Sequence, residues 1–496
     1  MNLGNFVKKI QNIMRGDSGI NGDAQRIEQL TWILFLKFYD AKEDEWEVYD
    51  DEYQSIIPEN LRWKNWAIDN QDGKAFTGAE LLDFVNNELF PTLKNLPVTN
   101  MTPKKKAIVR EVFDEVNQYM KDGTLLRQII NVVNEIEVET TKDKNFFGDI
   151  YETILKSLQS AGNAGEFYTP RAVTDFIIER LAPDFGETVA DFACGTGGFL
   201  TSTLNYLNRK ENISAAQREI YANRSIFGME KKPLPYLLAV TNMLIHDLDT
   251  PDISHGNSLA RRITEYAEHE KFPIIAINPP YGGNEQANIR NNFPADLKSN
   301  ETADLFIALT LYRLKFNGRA AIIIPDGFLF GADIPKIELK KRLLKDFNLH
   351  TIIRLPQSVF APYTSITTNI LFFDRTRKTD KIWFYRVDMP KQLKHFSKTK
   401  PMLLEHFADC VEWWDNRREI SDADSETFKA KSFTVDEIVA RGYDLDLCGY
   451  PSTDEEILSP AETIKIFRER RDALDSKINA RLEKLSALLQ NQHEEE

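Results

Sequence analysis

From about residue 187 onward, short apolar runs alternate with helical stretches, and this alternation restricts the possible folds more than any other feature of the chain. Each run ends at or close to Gly, Asn or Pro, residues that commonly terminate secondary structure. The runs are Thr188–Cys194, Ser225–Met229, Pro273–Asn278, Arg319–Pro325 and Thr351–Leu355. Strands separated by helices predict a parallel, doubly wound α/β sheet. Because ligands bind such sheets at the carboxyl ends of the strands, the residues that follow each run are the candidates for chemistry.

The overall charge limits the classes of function. The chain carries 62 Lys and Arg against 76 Asp and Glu, a formal net charge of −14 over 496 residues. A protein that holds the DNA backbone by itself is usually basic, because neutralised phosphates supply most of the non-specific affinity. The acidity therefore argues against a free-standing DNA-binding protein. The acidic charge is compatible with a protein that binds DNA together with a partner. It is also compatible with a protein that does not bind nucleic acid.

The cysteines and the apolar runs indicate the cellular setting. Cys194, Cys410 and Cys448 lie far apart without CxxC or CxxH spacing. We therefore expect neither a disulfide framework nor a metal site, and a reducing cytoplasm is the natural location. No apolar run approaches the roughly 18 residues of a membrane-spanning helix. Residues 1–14 also lack the apolar stretch of a secretion signal, so we expect no membrane partner.

The chain is predicted to have four parts. These are an N-terminal helical domain (1–158), a catalytic domain (159–390), an extension without an assigned fold (391–452) and a C-terminal helix (453–496). Helical spacing of Ile27, Leu30, Leu34 and Phe38 supports the first part. The apolar stripe Ile464–Leu488 supports the last, as a helix that pairs with a partner. The alternative is that this helix folds back on its own domain.

Three tryptophans of the N-terminal part allow two interpretations. Trp46, Trp63 and Trp66 stand in an acidic segment that is rich in aromatic residues. Their rings could stack on nucleic-acid bases, but packing between short helices is the favoured interpretation.

A glycine-rich loop follows the first run and opens a helix. Glycine lets the backbone approach a ligand closely, because it has no Cβ and accepts positive φ. The GxGxxG dinucleotide motif is absent, since Leu200 occupies its last position. The negative charge of an Asp at the strand end would repel a pyrophosphate. It would attract a ligand that carries an ammonium and a sulfonium. A plain tight turn is the alternative. The candidate cofactor-binding residues are Asp191, Ala193, Gly195, Thr196, Gly197 and Gly198.

Two further strand ends carry polar residues. Glu230 directly follows the second run, at the strand end, where an acid can accept both hydroxyls of a ribose. Asn257, followed by Ser258 and Leu259, ends the third strand and could read the adenine edge of a cofactor. Either position alone could be an ordinary surface residue. Because they stand at successive strand ends after the glycine-rich loop, Glu230, Asn257, Ser258 and Leu259 are candidate cofactor-binding residues.

The run that begins at Pro273 leads into Asn278, Pro279, Pro280 and Tyr281, the candidate catalytic residues. Two prolines stiffen the backbone and remove two donors, so the local carbonyls are left as acceptors. Together with the Asn278 amide oxygen they can accept both hydrogens of a planar NH2 group. Such acceptors draw the amine towards a tetrahedral nitrogen and stabilise the charge that develops when a methyl group arrives. The Tyr281 ring offers a face on which a planar substrate can stack.

This loop is the (D/N/S)PP(Y/F/W) motif of amino-methyltransferases. Methylation at C5 of cytosine needs a nucleophilic Cys, normally after Pro, and no proline precedes any of the three cysteines. Cys194 is therefore read as a small loop residue. Asn278 favours adenine or a protein glutamine over N4 of cytosine. A glutamine N5 methyltransferase thus stays a rival, because release-factor methyltransferases also carry Asn-Pro-Pro-Tyr. An inactive scaffold is a second alternative, disfavoured because both motifs are intact.

The order of the motifs adds a resemblance to a known family. The glycine-rich loop resembles the first motif of class I methyltransferases. The residues Gly165, Glu166, Phe167, Tyr168 and Thr169 resemble the motif that touches the methionine part of the cofactor. Their position before the glycine-rich loop is the gamma order of DNA adenine methyltransferases. The segments Leu355–Phe360 and Thr368–Phe373 resemble the modification subunit of type I restriction-modification systems, as do the N-terminal helical block and the tail.

This resemblance implies a specific fold, reaction and set of partners. The fold would be a class I, Rossmann-like methyltransferase sheet with an N-terminal all-α domain and a C-terminal helical tail. The reaction would transfer a methyl group from S-adenosylmethionine to N6 of adenine in double-stranded DNA. The partners would be a specificity subunit, a second copy of the chain and, in some complexes, a restriction subunit. The specificity subunit would read the DNA sequence, which is consistent with the acidic charge.

Overall fold

The computed structural model describes most of the chain. The described residues are 3–69, 75–136, 148, 151–154, 168–210, 213–397, 399–422 and 427–449, together with separate residues between 464 and 483. The chain divides into two compact units, residues 1–449 and residues 450–496. Among the described residues, no helix combines the length and apolar content needed to cross a membrane.

The first unit is built on a sheet of ten described strands. They are β1 (Val189–Asp191), β2 (Ile226–Glu230), β3 (Ile253–His255), β4 (Phe272–Ile277), β5 (Leu314–Pro325), β6 (Asn348–Arg354), β7 (Thr368–Asp374), β8 (Lys381–Arg386), β9 (Ile420–Ser421) and β10 (Phe428–Thr434). Their order is β3-β2-β1-β4-β5-β7-β6-β8-β10-β9. Strands β1 to β5 are parallel, so the loops after β1, β2, β3 and β4 meet at one edge.

The sheet confirms the predicted fold class and differs from the predicted parallel arrangement at one end. The five predicted runs correspond to β1, β2, β4, β5 and β6. Strand β7, however, lies antiparallel between β5 and β6. A parallel neighbour needs a crossover of a dozen or more residues, usually through a helix. No helix separates β6 from β7, and the chain instead turns back along the same edge. Strands β9 and β10 are also antiparallel to their neighbours.

Helices cover the sheet and form a separate N-terminal block. The block contains α1 (Leu3–Arg15), α2 (Asp23–Tyr49), α3 (Trp63–Trp66), α4 (Gly78–Asp83), a π-helical turn (Phe84–Leu89), α5 (Phe90–Lys94), α6 (Lys104–Phe113) and α7 (Gly123–Asn134). The others are α8 (Arg171–Leu181), α9 (Gly198–Asn208), α10 (Ala215–Arg224), α11 (Pro233–Ile245), α12 (Ala287–Arg290), α13 (Thr302–Arg313), α14 (Asp326–Phe330), α15 (Ile334–Lys345), α16 (Ala408–Asp415) and α17 (Val435–Ala440).

The helical block shares one hydrophobic core with helix α11. The core joins the side chains of α2, α5 and α7 to Leu238 and Met243 of α11. Trp46, Trp63 and Trp66 are buried within it. Their rings contact neighbouring aromatic side chains of the same block. The structure thus confirms packing, and not base stacking, as the role of these tryptophans.

A buried lysine links the helical block to the loop after α11. The Lys42 side chain is 4% exposed and contacts carboxylates of Asp247 at 2.9 Å and Asp249 at 3.1 Å. The indole of Trp46 donates to Asp249 at 2.8 Å. Nearby, Lys104 pairs with Asp252 at 2.6 Å. Charge pairs therefore reinforce the apolar contact between the block and the sheet domain.

The extension without a predicted fold continues the sheet. Strand β10 pairs with β8, and Trp413 of α16 packs on the rings of Trp383 and Tyr385. Arg386 of β8 holds Asp422 at 3.0 Å, beside the end of β9. Residues 391–449 are consequently part of the same compact unit as the rest of the sheet.

The second unit contains the predicted tail. Its described residues between 464 and 483 are helical. They expose the apolar side chains of Ile464, Phe467, Ile478 and Leu482. Three leucines of the predicted stripe lie outside the described residues, namely Leu474, Leu485 and Leu488. The described residues of this unit are thus helical, and the pairing of the tail with a partner stays a prediction.

Replacing Lys42 tests whether this buried lysine stabilises the fold more than an exposed lysine in a charge pair does. We expect Lys42→Met to lower the free energy of unfolding by about 1–3 kcal/mol, because the carboxylates of Glu45, Asp247 and Asp249 lose the buried cation that they share. Chemical unfolding of the full chain measures this. The control is Lys9→Met, since Lys9 and Glu135 form a pair with side chains 55% and 42% exposed. We expect the control to change stability by less than about 1 kcal/mol. Equal losses in both variants would contradict the role assigned to Lys42.

Candidate functional site

A cavity of about 270 Å³ opens at the carboxyl edge of the parallel strands. Its walls come from the loops after β1, β2, β3 and β4, from α13 and from the segment before α8. The lining residues are Thr169, Asp191, Phe192, Ala193, Cys194, Gly195, Gly198, Phe199, Glu230, Lys231, Lys232, Gly256, Asn257, Ser258, Asn278, Pro280, Tyr281, Gly283, Asn284, Glu285, Thr302 and Phe306. The strand order places β1 next to β4, where the connections leave the sheet in opposite directions. This switch point is where open α/β sheets bind ligands.

The glycine-rich loop between β1 and α9 needs left-handed backbone conformations. Gly195 has φ of 54° and Gly197 has φ of 79°, values that other residues rarely adopt. A Cβ on Gly197 would lie 3.2 Å from the terminal methyl of Met243 of α11, so a larger residue would also be tightly packed there. The Asn242 amide donates to the Thr196 carbonyl at 3.1 Å. Helix α11 therefore holds the loop in place from below.

Two buried carboxylates face the cavity, and backbone donors orient both. Asp191 is 2% exposed and Glu230 is 7% exposed. Asp191 accepts the Ala193 N–H at 3.0 Å. Glu230 accepts the Gly195 N–H at 3.0 Å and the Lys232 N–H at 2.8 Å. Glu230 thus ties the loop after β1 to the loop after β2.

The electrostatics of these carboxylates favour a positively charged ligand. Burial raises the pKa of Asp191 well above its usual range, and the nearby Glu230 charge raises it further. Burial also raises the pKa of Glu230, although its backbone donors oppose this. A cation in the cavity would relieve the cost of keeping both groups ionised.

The loop after β3 contributes two polar residues and one core residue. The Ser258 hydroxyl donates to the Phe192 carbonyl at 2.6 Å, which joins this loop to the loop after β1. The Asn257 side-chain oxygen accepts the Leu259 N–H at 3.0 Å. Leu259 itself is fully buried in the core. Only Asn257 and Ser258 of these three line the cavity.

The loop after β4 presents Asn278 with both ends of its amide engaged. The amide nitrogen donates to the Thr169 hydroxyl at 3.0 Å. The amide oxygen accepts a hydrogen bond from the Tyr281 hydroxyl. The Tyr281 ring stands edge-on to Phe360 with 6.4 Å between ring centroids. Burial raises the pKa of Tyr281 well above its usual range, so its hydroxyl stays protonated and remains a donor.

The structure brings together most of the residues predicted from the sequence. Those that line the cavity are Thr169, Asp191, Ala193, Gly195, Gly198, Glu230, Asn257, Ser258, Asn278, Pro280 and Tyr281. Those that do not line it are Tyr168, Thr196, Gly197, Leu259 and Pro279. Tyr168 is buried and donates to Glu152 at 3.0 Å. The predicted residues Gly165, Glu166 and Phe167 lie outside the described residues.

Sequence reasoning missed half of the cavity wall. Several missed residues, such as Phe192, Cys194 and Lys231, are direct neighbours of motif residues, so extending each motif by one position would have found them. Thr302 and Phe306 stand one turn apart on α13 and belong to no motif. Thr302 donates to the Gly283 carbonyl at 2.8 Å and so supports the loop after β4. Only the fold reveals that α13 forms this wall.

Two observations bear on alternative chemistries. Within the described part of the chain, no three His, Cys, Asp or Glu side chains are grouped so that they could hold a metal ion. Burial raises the pKa of the Cys194 thiol well above its usual range, and the charges of Asp191 and Glu230 add to this. A thiol in this environment is a poor nucleophile, because the thiolate is the reactive form.

Comparisons with known proteins identify the family of this chain. Residues 142–457 match the family model described as N-6 DNA Methylase, and residues 3–133 match the HsdM N-terminal domain. The chain is 46% identical over 453 residues to the type I restriction enzyme EcoEI methylase subunit of Escherichia coli, covering 90% of each chain.

Solved structures give the same result. A type I restriction enzyme modification subunit from Vibrio vulnificus YJ016 is 38% identical with a TM-score of 0.78, over 92% of this chain and 98% of that one. A structure that addresses complex assembly of a type I restriction-modification system is 35% identical with a TM-score of 0.78, over 99% of this chain and 98% of that one.

The cost of the buried carboxylate can be measured without any ligand. We expect Asp191→Asn to raise the free energy of unfolding of the isolated protein by about 1 kcal/mol, because the amide oxygen still accepts the Ala193 N–H while a buried charge disappears. Urea unfolding measures this. The control is Asp17→Asn, since Asp17 is buried and accepts backbone N–H groups of Gly19, Lys121 and Asp122 on its two oxygens. In that variant the amide NH2 group would face backbone N–H groups that the carboxylate accepted. We therefore expect the free energy of unfolding to fall by about 1–3 kcal/mol. Similar losses at both positions would contradict the electrostatic interpretation of the cavity.

Proposed function

Since this chain belongs to the N-6 DNA methylase family, we propose that it transfers a methyl group from S-adenosylmethionine to N6 of adenine in DNA, as the modification subunit of a type I restriction-modification complex. The observation that carries this proposal is the Asn278–Tyr281 loop at the carboxyl end of β4, which faces the same cavity as Asp191 and Glu230. The rival reaction on protein glutamine has no support from the two matching families, both of which are named for DNA modification or its subunit.

The residues of the cavity fit S-adenosylmethionine. Two buried carboxylates suit a ligand with an ammonium and a sulfonium, and the conformations of Gly195 and Gly197 keep the loop backbone close to the ligand. Asp191 would hold the ammonium end, and Glu230 would accept the ribose hydroxyls with the lone pairs that its backbone donors leave. Asn257 would face the adenine of the cofactor. When bound, the cofactor supplies an electrophilic methyl group on its sulfonium.

The chain's own residues prepare the substrate amine. The N6 nitrogen of adenine is a weak nucleophile because its lone pair is delocalised into the ring. The Asn278 oxygen, together with a carbonyl of the Pro279–Pro280 segment, would accept its two hydrogens and stabilise positive charge on the nitrogen. The Tyr281 ring would stack on the extruded base, and its hydroxyl would leave the Asn278 oxygen as the amine arrives. The surplus proton can then pass to solvent, so this step needs no general base.

The proposed complex contains double-stranded DNA, a specificity subunit and a second copy of this chain, and it acts in the cytoplasm. A net charge of −14 gives this chain little attraction for phosphate by itself. The tail exposes Ile464, Phe467, Ile478 and Leu482 on a helix, an apolar stripe of the kind that pairs with other helices. A partner that docks on the tail would supply both base recognition and DNA affinity.

Replacing the acceptor should separate chemistry from cofactor binding. We expect Asn278→Ala to slow methyl transfer by roughly a hundredfold or more, because a preorganised transition-state contact is typically worth about 3 kcal/mol. The affinity for S-adenosylmethionine should stay within about twofold. Single-turnover methylation of host DNA by the co-expressed complex, and calorimetry on the same protein, measure the two effects. The control is Asn223→Ala on the exposed face of α10, which should behave like the wild type. Wild-type turnover in Asn278→Ala would refute the assigned role.

Removing the second unit should abolish methylation and leave the first unit intact. We expect a chain truncated after Gly449 to keep its melting temperature and cofactor affinity, because the sheet and the cavity lie within residues 1–449. It should fail to co-purify with a specificity subunit and leave DNA unmethylated.

A pair of charge substitutions tests the stripe itself. Ile478→Glu with Leu482→Glu should have the effect of the truncation, because the two charges would be buried at the partner contact. Ser476→Glu with Asn479→Glu adds the same charge at other exposed positions of the helix and should be tolerated. Sequence-specific methylation by the truncated chain alone would overturn the proposal.

A further inference from the structure

The side-chain amide of Asn278 can be oriented in two ways, with its oxygen or its nitrogen towards the substrate. The proposed reaction requires the oxygen to face the substrate amine. Only the oxygen end can accept a hydrogen from a substrate amine, whereas the nitrogen end would oppose it with another donor. In this structure the nitrogen end points to the Thr169 hydroxyl at 3.0 Å, and the oxygen end points to the Tyr281 hydroxyl. Both contacts therefore bear on the orientation of the acceptor.

Thr169 sits on a firmly anchored segment. Its neighbour Tyr168 is buried and donates to Glu152 at 3.0 Å. Arg171, at the start of α8, pairs with the same Glu152 at 3.1 Å and donates to the Gly198 carbonyl at 3.1 Å. These contacts fix the segment before and after Thr169 against the glycine-rich loop. Thr169 can thus act as a fixed reference point for a side chain on another loop.

The hydrogen bonds of Asn278 to Tyr281 and to Thr169 would respond differently to a bound substrate. The Tyr281 hydroxyl occupies the oxygen that a substrate amine would use, so this contact must be exchanged for the substrate's own N–H. The Thr169 contact lies at the other end of the amide and can persist throughout. Before binding, both contacts hold the amide in one orientation. After binding, Thr169 alone remains to hold its nitrogen end.

We propose that Thr169 is a positioning residue for methyl transfer, which accepts the Asn278 N–H and thereby keeps the amide oxygen turned towards the substrate amine. This inference rests on the proposed function and gives Thr169 this role in place of the cofactor contact expected from the sequence. It acts through Asn278 and needs no contact with either reactant.

The test compares three variants of the full complex. Thr169→Val keeps the shape and removes the hydroxyl, and we expect the single-turnover rate at saturating S-adenosylmethionine to fall about tenfold, the effect of one hydrogen bond. Thr169→Ser restores the hydroxyl and should return the rate to within about threefold of wild type. The calorimetric affinity for S-adenosylmethionine should not change in either. Thr169→Ala serves in place of Thr169→Val if the valine variant melts early.

A double variant gives a result that a general structural role would not produce. In the Asn278→Ala background the amide is gone, so adding Thr169→Val should slow the reaction no further. Equal fold-losses in both backgrounds would overturn the proposal, and so would a loss of cofactor affinity with a normal rate at saturation. A wild-type complex that binds no S-adenosylmethionine or methylates no adenine would refute the proposed function instead. Normal wild-type methylation with a normal Thr169→Val rate would refute only this inference.

Discussion

The burial of helix α11 from Pro235 to its end is the constraint on which the rest of the first unit depends. Every residue from Pro235 to Ile245 is buried, so the helix has no face for solvent. Such a helix must be covered on all sides. The sheet covers one side and the N-terminal helical block covers the other, through a single shared core. Asn242 is a polar exception within it, and its amide reaches the glycine-rich loop. The helical block is therefore a structural part of the first unit, because without it the helix that supports the glycine-rich loop would be exposed.

Much of the sheet and the site could be predicted from the sequence, for a physical reason. Parallel strands buried on both faces are short continuous apolar runs, and the polar residues at their carboxyl ends are easily seen. Asp191, Glu230 and Asn278 stand at such ends, and the structure brings them to one cavity. The direction of β7 could not be predicted, because an apolar run has the same pattern whichever way it is inserted. Thr302 and Phe306 were also missed, since their place in the wall depends on how α13 packs and not on a local pattern.

The region after residue 390 shows a different limit of sequence reasoning. Its strands β9 and β10 are short or polar on one face, so their periodicity is weak. Contacts between residues far apart in the chain join this region and the neighbouring strands. Arg386 reaches Asp422, and Arg354 reaches Asp326 and Asp446. Burial of these arginines is tolerated because each has carboxylate partners. Pairings of this kind cannot be recognised until the fold has placed the partners side by side.

The two ends of the sheet have a consequence for how the protein survives at high concentration in a cell. An exposed edge strand offers unpaired N–H and C=O groups that can recruit another chain and start aggregation. Here the outermost strands are β3 with three residues and β9 with two, so each edge offers little backbone for such pairing. The long strands, β5 above all, lie in the interior of the sheet. Short outer strands of this kind protect a protein from polymerising with copies of itself.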